Sequence, residues 1–189
     1  AASLFNHDCT PNVLTDFRIT HARGASGGPL DRPVLTFRAA RRLEPGEAAH
    51  IAYVSTEEPS YVRARELRRS KQFDCACPRC ADPLECDLFG GCFRCDRCRS
   101  GWQSRVRARG GPGGKMLHVD EWVCAACGWR TPLTQVVQWD TLRRTQLAML
   151  MESAAEADDG RSLEALRGRL RAFIRESLER CHPNHALLL

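Results

Sequence analysis

The residues best suited to chemistry are the cysteines, of which the chain has eleven. Three of them form a C-x-C-x2-C motif: Cys75, Cys77 and Cys80. Four more form two C-x2-C pairs with 25 residues between the pairs: Cys95 and Cys98, then Cys124 and Cys127. Cysteine thiolates at such spacings are typical ligands of structural zinc, which binds four of them in a tetrahedron. The spacings therefore predict about two zinc ions per chain.

The class of protein also favours metal binding over disulfide bonds. At 189 residues and 43% hydrophobic content, the chain can bury a core. It has no apolar run long enough to cross a membrane, and its first residues lack the basic start, apolar stretch and cleavage site of a signal peptide. We therefore expect a protein of the nucleus or the cytoplasm, without membrane contact, in which thiols stay reduced.

The two C-x2-C pairs supply all four ligands of one site without help from other segments. Cys92 and Cys95 form a rival pair within CFRCDRC. We favour Cys95 with Cys98, because Gly101-Trp102 then echoes Gly128-Trp129 and predicts two similar turns of a zinc ribbon. The remaining thiols are interpreted as non-ligands: Cys86, Cys92 and Cys181.

The C-x-C-x2-C motif supplies three ligands, and a closed structural site needs a fourth. The best candidate is Cys9, which lies in NHDCTPN at residues 6–12, because every other nearby thiol belongs to the ribbon or follows it. We therefore predict that Cys9 pins the start of the chain against residues 75–80.

The segments between these cysteines predict a small sheet and a helix. Residues 13–20 and 33–40 have strand character and flank a loop rich in Gly and Pro, which is typical of a hairpin. LEPGE at residues 43–47 predicts a turn, and residues 48–54 a short buried strand. Residues 58–72 predict a helix.

The last third of the chain predicts two amphipathic helices with EADDGRS as their linker. Their apolar residues recur at spacings of three to four, as on one face of a helix. In the first helix these residues are Leu142, Leu147, Leu150 and Met151. In the second they are Leu163, Leu166, Leu170, Phe173, Ile174 and Leu178.

Three stretches in this order resemble the C-terminal half of a SET domain and its post-SET motif: SLFNHDCTPN, RAARRLEPGEAAHIAY and FDCACPRC. The chain is thus similar to the SET and MYND (SMYD) family, whose usual forms are N-H-S-C-x-P-N, G-E-E-[IL] leading to a Tyr, and F-x-C-x-C-x2-C. The resemblance covers residues 1–80 closely. DPLE at 82–85, the inserted ribbon, and CHPNH at 181–185 are most similar to the arthropod SmydA branch.

The resemblance implies an α+β fold in three parts. Residues 1–80 would form the small β-sheet of a half SET domain with the post-SET zinc site, residues 81–131 an inserted zinc ribbon, and residues 132–189 a TPR-like helical hairpin. The family's glycine-rich cofactor loop and its MYND zinc module precede the matching stretch. We therefore expect this chain to be a piece of a longer protein, and to bind cofactor poorly when alone.

The resemblance also implies an activity, that of an S-adenosylmethionine-dependent protein-lysine methyltransferase. Asn6 and His7 would contact the amino and adenine ends of S-adenosylmethionine, and Phe73 would pack on the adenine. Tyr53 would be the catalytic tyrosine at the lysine channel, in a reaction that depends mainly on alignment. Asp8 replaces the usual serine and Ala48-Ala49 the usual acid and aliphatic residue, which removes none of these groups.

Partners and other functions follow from the same reasoning. The substrate would be a protein that carries a lysine, a histone or another chromatin protein included, which suggests a role in transcription regulation. A first alternative is a SET-like scaffold without catalysis. A second is nucleic-acid binding by residues 94–111, where arginines surround Trp102 in a chain of net charge +5.

Overall fold

The structure, a computed structural model, describes residues 4–23, 29–107, 120–157 and 159–188. Its strands are β1 (Asn6–His7), β2 (Val13–Arg23), β3 (Pro29–Ala39), β4 (His50–Ile51), β5 (Phe93–Arg94), β6 (Trp102–Arg107), β7 (Asp120–Cys124) and β8 (Arg130–Pro132). Its helices are α1 (Ser60–Lys71), α2 (Pro78–Ala81), α3 (Leu133–Glu156) and α4 (Gly160–Arg180). The predicted α+β class is confirmed. Among the described helices, none is both long and apolar enough to cross a membrane.

The predicted hairpin is the antiparallel pair β2–β3, with Phe17 opposite Leu35. β2 continues to Arg23 and β3 begins at Pro29, so both strands extend into the stretch that we expected to be loop. Alternating residues give the hairpin one apolar face, which includes Phe17, Ile19 and Leu35, at 64%, 55% and 44% exposure. The hairpin therefore shows much of its apolar face to solvent.

The predicted turn and the strand after it lie at the base of the hairpin. Gly46 has φ +85°, a conformation that glycine adopts without strain, and the Glu47 amide donates to the Glu44 carbonyl at 3.0 Å. The following strand is shorter than expected, because only β4 pairs, in parallel with β1. This pairing sets residues 6–7 beside residues 50–51.

The zinc-ribbon segment forms a four-stranded antiparallel sheet in the order β5-β6-β7-β8. Trp122 on β7 is fully buried, and its indole N–H donates to the Gly91 carbonyl at 2.7 Å. The ring of Trp122 packs against those of Tyr61 on α1 and Phe93 on β5. One hydrophobic core thus joins α1, the ribbon and the two C-terminal helices.

Helices α3 and α4 pack along each other as the predicted hairpin. Asp159 caps α4 by accepting hydrogen bonds from the amides of Arg161 and Ser162, both at 2.7 Å. Leu142 and Met151 were expected on the buried face of α3 but are 57% and 60% exposed. The buried face contains two polar residues that hydrophobic periodicity cannot identify: Asp140 and Arg143.

The chain after α4 returns to the ribbon. Cys181 forms an isolated antiparallel bridge with Phe93, and the His182 amide donates to the Cys92 carbonyl at 3.1 Å. Ala186 donates in the same way to the carbonyl of Gly90, at 3.1 Å. The stretch from Cys181 to Ala186, which begins with the CHPNH motif, therefore fastens the end of α4 to residues 90–93.

Candidate active site and metal centres

The first group of cysteines, here called the assembled cluster, comprises Cys9, Cys75, Cys77 and Cys80. Their sulfur atoms all lie within 4.8 Å of one another, and those of Cys9 and Cys80 are 3.4 Å apart. Three of the four residues are buried and Cys77 is half-buried. The structure thus brings together the predicted ligand set from two distant parts of the sequence.

Local structure explains how the C-x-C-x2-C segment reaches this position. Leu67 of α1 is fully buried against the cluster. Helix α1 ends at Lys71, and the next residue, Gln72, has a left-handed φ of 59° that turns the chain toward Cys75. Cys77 caps the short helix α2, and Pro78 occupies its first turn, where a proline loses no hydrogen bond.

The thiols of the assembled cluster perturb one another strongly. Hydrogen bonds from Cys75, Cys77 and Cys9 lower the pKa of Cys80, whereas the neighbouring thiols raise the pKa of Cys9. Four thiolates can share so small a volume only with a cation among them. An all-sulfur set at tetrahedral spacing suits zinc, whose ligands would be Cys9, Cys75, Cys77 and Cys80.

The second group, here called the local cluster, comprises Cys95, Cys98, Cys124 and Cys127. Cys95 and Cys127 have their sulfur atoms 3.6 Å apart, and Cys98 and Cys124 have theirs 3.7 Å apart. Hydrogen bonds from Ser100 and from the Gly101 amide lower the pKa of Cys98 to about 6. These residues also form an all-sulfur set that fits zinc.

The local cluster is built from two matching turns. The Arg99 amide donates to the Cys95 carbonyl at 3.0 Å, and the Gly128 amide donates to the Cys124 carbonyl at 2.9 Å. Both donors have left-handed φ, 60° for Arg99 and 70° for Gly128. The structural counterpart of Gly128 is therefore Arg99, and not Gly101 as the Gly-Trp echo suggested.

Gly101 has a different function in the local cluster. A Cβ atom at this position would lie 2.6 Å from the Cys124 sulfur and 2.7 Å from the Ala126 Cβ, so only glycine lets the two turns approach. The rival candidate Cys92 is buried and lies outside both groups of four. Its burial raises its pKa to about 12.

The predicted cofactor and catalytic residues meet beside the assembled cluster. The ring centroid of His7 lies 5.3 Å from that of Tyr53 and 6.0 Å from that of Phe73, and the Tyr53 and Phe73 centroids are 6.5 Å apart. We call these three residues the aromatic cluster. Asn6 is exposed next to them, whereas each of the three rings is half-buried. The structure thus places all four predicted residues in one region.

Hydrogen bonds link the aromatic cluster to the assembled cluster. The Tyr53 amide donates to His7 Nδ1 at 3.1 Å, while His7 Nε2 lies 3.3 Å from the Cys9 sulfur. The Tyr53 hydroxyl donates to the Phe5 carbonyl. Burial is the main cause that lowers the pKa of His7. Both ring nitrogens of His7 therefore have partners within the chain, and its backbone is paired with β4.

The second amide of NHDCTPN closes the motif onto the sheet. The Asn12 side chain donates to the Ala48 carbonyl at 2.9 Å and accepts from the His50 amide at 2.7 Å. Asp8 accepts from the Thr10 amide at 2.7 Å and so shapes the turn around Cys9. The motif therefore orients Cys9 and His7 together.

Sequence reasoning missed three buried charged residues next to the assembled cluster: Arg63, Arg79 and Glu85. Glu85 is the last residue of the DPLE stretch noted above, but nothing in the motifs indicated that these side chains are buried, because charged residues usually predict solvent-exposed positions. A cleft of about 310 Å³ lies beside these residues. Its lining includes Tyr53, Val62, Arg63 and Glu66.

The aromatic residue of the suggested nucleic-acid surface already has partners. The ring of Trp102 lies 4.9 Å from that of His182, and the Arg94 guanidinium lies 5.0 Å from the Trp102 centroid. Part of the suggested surface, residues 108–111, lies outside the described residues.

Comparisons with known proteins agree with the sequence motifs. No protein-family model matches the chain. Histone-lysine N-methyltransferase SMYD1 of Homo sapiens is 31% identical over 88 residues, which is 47% of this chain and 18% of that protein. A SET and MYND domain-containing protein of Dictyostelium discoideum is 34% identical over 80 residues, 42% of this chain and 17% of that protein.

A third relative is Histone-lysine N-methyltransferase SMYD3 of Mus musculus, 35% identical over 90 residues, which is 47% of this chain and 18% of the mouse protein. The matched region spans less than a fifth of the length of these three relatives. Several relatives are named as lysine methyltransferases, so the similarity supports a methyltransferase family. Over a little under half of its length, this chain is similar to proteins of the SMYD family.

Proposed function

We propose that the chain contributes to the active site of an S-adenosylmethionine-dependent protein-lysine methyltransferase. The observation that carries the proposal is the linked series Cys9, His7 and Tyr53, in which a cysteine of the assembled cluster positions the tyrosine through one imidazole. The names of the relatives support the same reaction class. A site that works by alignment needs such a rigid support.

The residues of this region fit one side of the cofactor. S-adenosylmethionine supplies an electrophilic methyl group when it is bound. The half-buried rings of Phe73 and His7 offer apolar surface for an adenine, and the exposed Asn6 amide offers a donor and an acceptor beside them. Zinc in the assembled cluster would hold Cys9, and thereby His7, in place.

Tyr53 would position the lysine amine. Its hydroxyl proton is directed to the Phe5 carbonyl, so the hydroxyl oxygen remains available as an acceptor for an amine N–H. An amine held in this way has its lone pair free for the methyl group, and orientation of this kind lowers the barrier without proton transfer by the tyrosine. The protein substrate, a histone or another chromatin protein included, and the nuclear or cytoplasmic location are part of the same proposal.

Radiolabelled methyl transfer by the full-length gene product tests the proposal. Tyr53→Phe should lower the rate by about 100-fold or more, because the amine loses its acceptor, while cofactor affinity stays similar. Tyr61→Phe is the matched control, since Tyr61 is the second of the two tyrosines and lies in the core. An unchanged rate in Tyr53→Phe would refute the assignment of Tyr53. If the unsubstituted protein neither binds cofactor nor transfers methyl, a scaffold function replaces the enzymatic one.

A further inference from the structure

Three charged side chains are buried against the assembled cluster, where an unpaired charge would be costly. Arg63 of α1 is 0% exposed, and Arg79 and Glu85 are 6% and 2% exposed. Arg63 directs two donors at metal-ligand sulfurs. Its Nε lies 3.3 Å from the Cys9 sulfur and its Nη2 lies 3.8 Å from the Cys80 sulfur.

One carboxylate fixes the orientation of both guanidinium groups. Glu85 Oε2 accepts from Arg63 Nη1 at 2.7 Å and from Arg79 Nε at 3.2 Å. Its other oxygen accepts from the Ser60 amide at 2.8 Å. Arg79 in turn donates to the carbonyls of Cys9 and Thr56, at 3.2 and 2.8 Å. Arg63 is therefore held in its position from several sides.

The backbone at Glu85 indicates that this arrangement has an energetic cost. Glu85, Cys86 and Asp87 have consecutive φ values of 57°, 58° and 63°, in the left-handed region that L-residues disfavour. Strain of this kind persists where the surrounding contacts require it. Here it places the Glu85 carboxylate between two arginines.

The net positive charge of these three side chains would offset the negative charge of a metal centre. A zinc ion with four thiolates carries a net charge of about −2, which burial makes costly. Two guanidinium groups and one carboxylate add a net charge of about +1 beside it. Arg63 is the arginine whose N–H groups point at the sulfurs, so it can stabilise the thiolates directly.

We propose that Arg63 is a positioning residue of a zinc centre at the assembled cluster, and that it restrains the Cys9 and Cys80 thiolates through N–H···S hydrogen bonds. The inference rests on zinc binding at that cluster, as proposed above. These hydrogen bonds stabilise the thiolates against protonation and so against loss from the metal, and they also draw electron density from the sulfurs, which lowers their reactivity toward electrophiles. Glu85 acts through Arg63 by fixing its plane.

The test compares Arg63→Met, Arg63→Lys and Arg69→Met in the full-length gene product. Arg69 is the matched control, because it lies on the same helix and pairs with Glu66 at the surface, its side chain being 76% exposed. Zinc affinity is measured by competition with a chelator. Alkylation of each cysteine by iodoacetamide is followed by mass spectrometry, with the local cluster as the internal standard. Cobalt substitution reports the thiolate-to-metal charge-transfer band.

In Arg63→Met we expect zinc affinity at the assembled cluster to fall by about 10- to 100-fold, as is typical when a partner of a metal ligand is lost. Cys9 and Cys80 should be alkylated faster, and the charge-transfer band should move to longer wavelength, an electronic effect that a purely structural role would not produce. Arg63→Lys should give an intermediate result, because it keeps the charge and loses the planar fork. Arg69→Met and the local cluster should not change.

Each result decides the inference. If Arg63→Met keeps the zinc affinity, alkylation rates and band position of the unsubstituted protein, the inference is wrong. If Arg63→Met does not fold, Arg63→Lys is the deciding variant. An unshifted charge-transfer band together with unchanged alkylation rates in Arg63→Lys would then refute the role of Arg63. Metal analysis of the unsubstituted protein comes first. Absence of zinc from its assembled cluster would refute the zinc proposal itself, whereas bound zinc leaves only the role of Arg63 to be tested.

Discussion

The assembled and local clusters contain the same four-sulfur set but differ in how the chain brings the sulfurs together. The local cluster consists of two turns joined by the β6–β7 hairpin, and one of its ligands, Cys127, is exposed. In the assembled cluster 65 residues lie between Cys9 and Cys75, and three of the four ligands are buried. One site is thus a product of short-range sequence and the other of the tertiary fold.

This difference assigns different tasks to the two sites. Closing a long loop costs more conformational entropy than closing a short one, so the assembled cluster depends more on contacts from distant segments of the chain. It obtains them from Leu67 and from the buried charges around Glu85. We infer that zinc at the assembled cluster stabilises the aromatic cluster, while zinc at the local cluster stabilises the ribbon alone.

The largest effect is expected when one ligand is removed from each cluster. Cys9→Ser and Cys127→Ser should each lower the zinc content from about two ions to about one per chain, because three thiolates do not close a structural site. Cys9→Ser should also disorder the aromatic cluster and weaken cofactor binding, whereas Cys127→Ser should not. Metal analysis and isothermal titration with S-adenosylmethionine measure both results.

Cys86→Ser is the control for these variants, because Cys86 is an exposed thiol outside both clusters. Two bound zinc ions in Cys9→Ser would show that the assembled cluster does not use Cys9. Equal losses of cofactor binding in Cys9→Ser and Cys127→Ser would remove the proposed division of tasks.

A smaller effect should distinguish the clusters without removing a ligand. Gly101→Ala introduces a Cβ that would meet the Cys124 sulfur at 2.6 Å, and overpacking of this kind costs about 1–3 kcal/mol. The zinc affinity of the local cluster should fall accordingly, and that of the assembled cluster should not. Gly168→Ala on α4 is the matched control, since its added Cβ meets nothing within 4 Å apart from the helix's own nearby backbone. Equal zinc affinities of the local cluster in Gly101→Ala and Gly168→Ala would contradict the close-approach explanation.

Acid should destabilise the ribbon side of the core through His185, which packs against Phe93. Burial, followed by the charges of Arg144 and His182, lowers the pKa of His185 to about 3. The unfolded chain takes up this proton near its ordinary pKa of about 6.5, so stability is complete above that pH and declines below it. Between about pH 7.5 and pH 5.5 the contribution of His185 to the free energy of unfolding should fall by about 1.4 kcal/mol.

Urea unfolding of the protein and of His185→Gln at the two pH values measures this effect. Zinc content is checked in parallel, because thiolate ligands also take up protons in acid. His185→Gln should lose less stability than the unsubstituted protein over this interval. The same loss in both proteins would show that other groups cause the acid sensitivity.

The smallest effect concerns an exposed ion pair of the ribbon. Arg130 and Glu121 are 2.5 Å apart, with side chains 65% and 33% exposed. Exposed pairs contribute about 0.2–1 kcal/mol, and salt screens them. Arg130→Ala should therefore change the thermal midpoint only slightly, and less at high salt. A large loss would mean that the edge of the local cluster depends on this arginine.

Much of the fold follows from short-range sequence patterns. Strand character on both sides of a loop rich in Gly and Pro identified the β2–β3 hairpin, and the spacing of apolar residues identified α3 and α4. Ligand spacing identified the local cluster, whereas the choice of Cys9 also required the absence of another nearby thiol. The buried positions of Arg63, Glu85 and Asp140 could not be predicted, because a charged side chain is buried only when distant residues supply its partners.

The return of the chain after α4 has a mechanical consequence. Helix α3 begins directly after β8, and residues 181–186 bond to residues 90–93, so the helical hairpin is a loop with both ends attached to the ribbon. A force that pulls on residue 188 therefore loads the backbone hydrogen bonds of Ala186 and His182 first, and reaches β5 without stretching α4. Under tension these attachments would have to break before α4 could unwind.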